Sequence, residues 1–171
     1  VAHCPERVLP GNAIREIIYN DRVVGGITEE ATERAARLYR TFSKGTVAET
    51  SASTAEFAKL AENTFRDINI AYANELSMLC GDCGVDAHEL IRLANMHPRV
   101  NIHSPGAGVG GHCIPVYPWF IVSRFPREAA LIRAAREVNI QKESWVVDHV
   151  LQAASSYGVK QVVIAGLTYK P

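Results

Sequence analysis

The sequence is short of several things, and each shortage closes off a class of function. It has no surplus of charge. In 171 residues, 18 Lys and Arg stand against 18 Asp and Glu, and the basic residues form no cluster, so the basic face of a nucleic-acid binder is missing. No apolar run approaches the ~20 residues of a membrane-spanning helix. The first residues, Val1-Ala2-His3-Cys4-Pro5-Glu6-Arg7, lack the basic, apolar and small-residue zones of a signal peptide, which makes the cytoplasm the expected compartment. Cysteine is sparse. Cys4, Cys80, Cys83 and Cys113 are too few for a disulfide scaffold in a chain of this length and read as thiols. Internal repeats and low-complexity stretches are absent, and so is an initiator Met. The chain closes on the buried-strand pattern Val162-Val163-Ile164-Ala165-Gly166-Leu167 and then Thr168-Tyr169-Lys170-Pro171; a strand there needs neighbours, so the expectation is a fragment of something longer.

What is present is the composition of a folded domain: 47% apolar and 21% charged residues are enough to bury a core. Residues 1–50 alternate as an α/β unit does. A short strand remnant, a turn at Pro10-Gly11-Asn12 and a strand over Arg22–Gly26 come first. A helix follows, capped by Thr28 with Glu29 and Glu30 in its first turn, and then a strand from Gly45 to Thr50. Ser53-Thr54-Ala55-Glu56 has the spacing of a capping box, and no Gly or Pro follows until Gly81. The expected helix over 54–80 is ~40 Å long. Leu60, Thr64, Ile68, Ala71, Tyr72, Glu75, Leu76 and Leu79 keep its 3.6-residue period, as in a domain spine or a dimer seam. A helix over Asp86–Asn95, a loop rich in Pro and Gly over 96–111, a short helix over 116–123 and a long one from Pro126 to Tyr157, stopped by Gly158, complete the pattern.

The most unusual segment is Pro105-Gly106-Ala107-Gly108-Val109-Gly110-Gly111-His112-Cys113. Clustered glycines cost chain entropy, so they mark either backbone approaching a ligand or a tight turn. The spacing G-x-G-x-G-G after a Pro-rich loop is not the dinucleotide fingerprint, which needs a strand before it. Cys113 ends this loop just before a helix, where a thiolate gains from the helix dipole; the alternative is a small buried apolar residue. Lys59 and Asn63 lie four apart and share a helix face. Cys80 and Cys83 form a single C-x-x-C, and His97, His103 and His112 match no common ligand spacing, so no metal is expected.

Four stretches together bring a family into view: Pro5-Glu6-Arg7-Val8-Leu9-Pro10-Gly11, Glu56 to Asp67, Gly108-Val109-Gly110-Gly111-His112-Cys113-Ile114-Pro115, and Gly166-Leu167-Thr168-Tyr169-Lys170-Pro171. In this order they resemble the UDP-glucose/GDP-mannose dehydrogenase family, nucleotide-sugar 6-dehydrogenases that oxidise a C6 alcohol to a carboxylate with two NAD. The P-E-R-V-L-P-G form and His97-Pro98-Arg99-Val100-Asn101-Ile102 look like the branch acting on UDP-N-acetyl-D-mannosamine. UDP-glucose and UDP-N-acetylglucosamine are the alternative substrates. The resemblance implies a mainly α fold: a long-helix dimerisation domain, like the C-terminal domain of 6-phosphogluconate dehydrogenase, flanked by remnants of two α/β Rossmann-like domains. It assigns 1–50 to the end of the NAD-binding domain, 51–157 to the central dimerisation domain and 158–171 to the first strand of a UDP-binding domain. The partners implied are a UDP-sugar and a second copy of the chain, and the role is surface-polysaccharide synthesis. The NAD fingerprint and most of the uridine site are expected to lie outside these residues. By itself the chain is therefore expected to be inactive, a dimerisation module.

By motif position the resemblance makes Cys113 the nucleophile, which captures the C6 aldehyde as a thiohemiacetal and carries the thioester to hydrolysis. Lys59 stabilises the oxyanion and Asn63 positions the oxygen or the water. Arg7, Gly108, Gly110, Gly111 and His112 line the substrate, Arg99 reaches the sugar in the partner subunit, and Lys170 sits near the nucleotide. One departure stands out. The family usually reads G-H-C-I-P-V-D-P, and here the Asp slot holds Tyr117, which supplies no carboxylate at neutral pH. Either thioester hydrolysis is impaired or another carboxylate substitutes.

Overall fold

The computed structural model describes residues 1–9 and 11–166. They divide into two compact units, one running from Val1 to Glu62 and the other from Asn63 onward. The first contains a three-stranded sheet in the order β1 (Ala2–His3), β2 (Arg22–Gly26), β3 (Val47–Ser51). β1 is antiparallel to β2, and β2 is parallel to β3 with Val24 opposite Glu49. Helix α1 (Ala13–Tyr19) precedes β2, and helix α2 (Glu29–Arg40) makes the crossover between the parallel strands. The expected strand over 22–26 and the Thr28 cap are both present: Thr28 Oγ1 accepts from the Ala31 N–H at 3.2 Å. Gly11 has φ +92° and the Asn12 N–H donates to Leu9 O at 3.0 Å, the turn expected there; Pro10 lies outside the described residues.

Three expectations shift in this unit. Helix α1 has no counterpart in the sequence reading, although Ile14, Ile17 and Ile18 carry its i, i+3, i+4 spacing. The strand expected at 45–50 starts later, because Gly45 is pressed against the backbone of the preceding turn, where a Cβ would lie 2.4 Å from Asn20 O. The helix cap is Ser51 rather than Ser53. β3 runs directly into the long helix α3 (Ala52–Cys83), and Ser51 Oγ accepts from the Thr54 N–H at 3.2 Å, leaving Ser53 exposed in the first turn.

Helix α3 has 32 residues, ~48 Å at the usual rise per residue. It runs through Gly81 and stops at Gly84, whose φ of +67° only glycine adopts cheaply. The second unit adds α4 (Ala87–Ala94), α5 (Tyr117–Arg124) and α6 (Ala130–Ser156). Asp86 caps α4 by accepting from the N–H groups of His88 at 2.8 Å and Glu89 at 3.2 Å. Pro126 does not open α6. It lies in a turn in which the Ala129 N–H donates to Phe125 O at 3.0 Å, and the helix begins after it. Gly158, φ +65°, ends α6 as expected.

Two further expectations are corrected. Residues 162–166 form no strand, and Val163 is 89% exposed. A strand is held by its ladder, and none of the described residues pairs with this one; Leu167 lies outside the described residues. The stripe assigned to α3 is split between two faces: its Thr64 and Ala71 are buried, its Tyr72, Glu75 and Leu79 are exposed, and the buried face also carries Asn63, Asp67 and Asn74. The reason is α6, which brings the buried polar side chains of Arg136 and Asn139 against this face.

Candidate active site

In the first unit the structure gathers Arg7 and Lys59. Lys59 is half-buried on α3, and its ammonium donates to Glu6 O at 2.6 Å. Arg7 follows Glu6 directly. Its guanidinium donates to Asp21 O at 3.1 Å and pairs with Glu62, one helical turn along α3 from Lys59. Both cations are thus held by neighbours that leave their positive charge uncancelled or only singly paired, as a group meeting an oxyanion requires. The same unit has a cleft at the carboxyl ends of the parallel strands β2 and β3, lined by Gly26, Thr28, Glu33, Glu49, Thr50 and Ser51. Open α/β sheets bind ligands at that edge.

The second unit holds Asn63, the glycine loop, Cys113 and Arg99. Asn63 is 5% exposed and its Nδ2 has no partner among the described residues, a buried donor left for a ligand or a water. Three asparagine side chains pin the loop ahead of the glycines. Asn95 Oδ1 accepts from Ile102 N–H at 2.7 Å, Asn69 Oδ1 from His103 N–H at 2.8 Å and Asn74 Oδ1 from Gly106 N–H at 2.9 Å. Gly108 lies close under the exposed Glu143 side chain: a Cβ there would be 2.8 Å from Glu143 Cγ and 2.9 Å from its Oε1, so a larger residue would displace that side chain. Gly111 has φ +98°, Gly110 is exposed, and so is His112.

Cys113 is an exposed thiol, so the alternative of a small buried side chain does not hold. Its carbonyl accepts from the N–H groups of Val116 at 3.2 Å and Tyr117 at 2.9 Å, which sets it one turn before α5. The departure from the family pattern has a structural counterpart. Tyr117 stands beside Cys113, whose charge when ionised, with some burial, holds the phenol above its usual pKa. Arg99 is exposed in a groove with Phe65, Ile68, Tyr72 and Ile102 along the outward face of α3. Lys170 lies outside the described residues. Among the described residues no cluster of His, Cys, Asp and Glu is placed to hold a metal ion, and no helix is long and apolar enough to cross a membrane.

Sequence reasoning missed the polar layer behind the loop: Asp67, Asn74, Arg136 and Asn139, all buried. A signal was there, since Asn63, Asp67 and Asn74 follow one another at spacings of four and seven along one face of α3.

With this geometry in place the chain can be compared with known proteins. The central-domain model of the UDP-glucose/GDP-mannose dehydrogenase family matches residues 53–141, and the NAD binding domain model of the same family matches residues 1–43. The chain belongs to the UDP-glucose/GDP-mannose dehydrogenase family. Curated relatives include an NDP-N-acetyl-D-galactosaminuronic acid dehydrogenase of Ralstonia nicotianae, 56% identical over 99% of this chain and 40% of that protein. Another is the UDP-N-acetyl-D-mannosamine dehydrogenase of Escherichia coli, 54% identical over 100% of this chain and 43% of that protein. Among solved structures, the UDP-D-ManNAc dehydrogenase of Pyrococcus horikoshii superposes with a TM-score of 0.88 at 47% identity, covering 93% of this chain and 38% of that one. The chain spans about two fifths of the length of these relatives. Within the family's frame, Lys59, Asn63, Arg99 and Cys113 fall in the central-domain match, and Arg7 in the NAD-binding match.

Proposed function

We propose that the protein to which this chain belongs is a cytoplasmic, NAD-dependent UDP-N-acetylhexosamine 6-dehydrogenase, with UDP-N-acetyl-D-mannosamine as substrate, serving surface-polysaccharide synthesis. The observation that carries the reading is Cys113: an exposed thiol at the end of a pinned glycine loop, one turn before a helix. The relatives support the hexosamine class, since they are named for N-acetyl-mannosamine or N-acetyl-galactosaminuronic acid chemistry. The cleft at the ends of β2 and β3 fits part of the cofactor. Its hydroxyls and carboxylates suit ribose hydroxyls, and Glu33 repels phosphate, whereas Glu49 is paired with Arg40 at 2.6 Å. NAD, when bound, takes a hydride at each of the two oxidations.

The chain's own residues account for the other steps. The Cys113 thiolate adds to the C6 aldehyde carbon, forming a C–S bond as the carbonyl electron pair moves to oxygen, where Lys59 meets the charge. Asn63 offers its free Nδ2 to the same oxygen or to the attacking water. After the second oxidation, water cleaves the thioester and Cys113 leaves as thiolate. Tyr117 brings no carboxylate to that water, and we place Glu143, which stands against Gly108, in the role of the substitute. Dimerisation is supported by the outward face of α3. Phe65, Tyr72 and Leu79 follow one another seven apart and are more than half exposed, the spacing of a helix–helix seam. Arg99 lines the groove beside it.

The test is NADH yield from the full-length protein. Two NADH per UDP-N-acetyl-D-mannosamine are expected, and Cys113→Ser should lose the second oxidation. Glu143→Gln should give a burst of two NADH per active site and then stall at the thioester. Turnover of UDP-glucose alone, or a Cys113→Ser enzyme with full yield, overturns the reading.

A further inference from the structure

Behind the glycine loop runs a buried chain of hydrogen bonds whose direction is set at one end by a charge. Arg136 donates from NH1 to Asp67 Oδ1 at 2.6 Å. Asn139 Nδ2 donates to the same Asp67 oxygen at 2.8 Å and to Asp67 O at 3.2 Å. Asn74 Nδ2 donates to Asn139 Oδ1 at 2.9 Å, and Asn74 Oδ1 accepts from the Gly106 N–H at 2.9 Å. Asp67 and Asn74 are 0% exposed, Asn139 1% and Arg136 5%, so water does not take over the bonds among these four; the relay meets the exposed Gly106 only at its loop end.

The order is not arbitrary. A carboxylate only accepts, so it forces Asn139 to turn its NH2 toward Asp67 and its oxygen toward Asn74. That oxygen turns the Asn74 NH2 inward and leaves the Asn74 oxygen facing the loop, where it meets the Gly106 N–H. With a neutral amide in place of Asp67, the side chain at 67 no longer dictates the order, and only the longer 3.2 Å bond to the main-chain carbonyl of residue 67 still holds the Asn139 NH2 on that side. An arrangement in which both asparagines flip aims an NH2 group at the Gly106 N–H. The same carboxylate sits one helical turn after Asn63, whose unpartnered amide belongs to the candidate site.

We propose that Asp67 is a positioning residue for the Cys113 loop: its ionised carboxylate, locked by Arg136, polarises the Asn139–Asn74 relay so that an oxygen is presented to Gly106. The catalytic consequence rests on Cys113 being the nucleophile; the relay itself does not.

The experiment measures amide hydrogen exchange of Gly106 in this chain, alongside the alkylation rate of Cys113 by iodoacetamide and the exchange of the α6 amides. Asp67→Asn should speed Gly106 exchange about tenfold relative to the α6 amides, the ratio that one lost hydrogen bond corresponds to. It should also change the Cys113 rate by a factor of about three or more, since the loop loses its anchor. Moving the carboxylate to the loop end, Asp67→Asn with Asn74→Asp, should return Gly106 exchange to within about threefold of the original, because a carboxylate at 74 accepts whichever way the amides lie. The double variant covers the case in which Asp67→Asn alone does not fold, since it keeps one buried carboxylate and lets Asn139 turn its NH2 toward it.

Gly106 exchange unchanged in Asp67→Asn, or sped up equally with all α6 amides, overturns the proposal. So does failure of the carboxylate at 74 in the double variant to protect Gly106. These readouts are independent of NADH yield, so a relay that behaves as stated beside a full-length Cys113→Ser enzyme of full yield would sink the proposed function and leave the relay standing.

Discussion

Removing Arg136 tests the energetics of the buried pair most directly. Asp67 is fully buried, and its Oδ1 takes both the Arg136 guanidinium at 2.6 Å and the Asn139 amide at 2.8 Å, while its Oδ2 has no partner among the described residues. In Arg136→Met the carboxylate keeps the amide and loses the only ion pair found for it among the described residues. Breaking a buried pair from one side costs ~3–5 kcal/mol, because a charge is left without compensation. At a urea slope of ~1.5 kcal/mol per molar, this moves the unfolding midpoint of the second unit down by ~2–3 M. Trp119 on α5 and Trp145 on α6 are the chain's two tryptophans, so indole fluorescence reports that unit alone. Replacing both partners, Asp67→Leu with Arg136→Met, should cost clearly less than the two single changes added together, since no orphan charge remains.

The pH dependence follows from the sign of the Asp67 shift. Burial pushes its pKa up, with Arg136 and Asn139 pulling it back. Without Arg136 the folded pKa rises further above the unfolded one, and the folded state binds the extra proton. The loss in Arg136→Met is therefore smallest at acid pH and grows as pH rises through the folded pKa. A loss below ~1 kcal/mol, a loss independent of pH, or additivity in the double variant would refute the reasoning.

Gly25→Ala should unfold the first unit, since a Cβ there would lie 2.2 Å from Ser51 O and 2.7 Å from Ala55 Cβ, a clash with backbone worth more than ~4 kcal/mol. Limited proteolysis should then cut within residues 1–62 while the tryptophan signal of the second unit persists; resistance equal to the parent chain contradicts the packing. Lys142 is 4% exposed, donates to Ser77 Oγ at 2.8 Å and stands 3.7 Å from the centre of the Trp145 ring. Burial lowers its pKa, so the unfolded chain binds the proton more readily, and stability rises with pH between the folded pKa and the unfolded value near 10.5. Lys142→Met should abolish that alkaline rise and stabilise the second unit at pH 7 by ~1 kcal/mol; an unchanged pH profile shows that the lysine is not desolvated.

Part of this molecule is written in short stretches of sequence. Thr28 caps a helix, Asp86 opens one, Gly158 ends one, and Arg22–Gly26 is a strand, because each depends on a few adjacent residues whose backbone groups need a partner or a positive φ. The glycine loop and Cys113 were legible for the same reason: four glycines in six residues have few uses. Where a neighbour decides, the local signal failed. Ser51 displaced Ser53 as the cap because β3 ends where the helix begins. Residues 162–166 form no strand because none of the described residues offers them a ladder.

The tertiary structure alone decided which face of α3 is inside. Periodicity points to apolar stripes, yet the buried face carries Asn63, Asp67 and Asn74, and it is stable there because α6 delivers Arg136 and Asn139 from 69 and 72 residues away. A buried charge is tolerated only with its partner in place, and no local pattern can announce a partner that distant. The sequence by itself determined the family, the thiol at the end of the glycine loop and those helix ends that a single adjacent residue sets. The packing of α3 against α6 determined what holds the loop that carries the thiol.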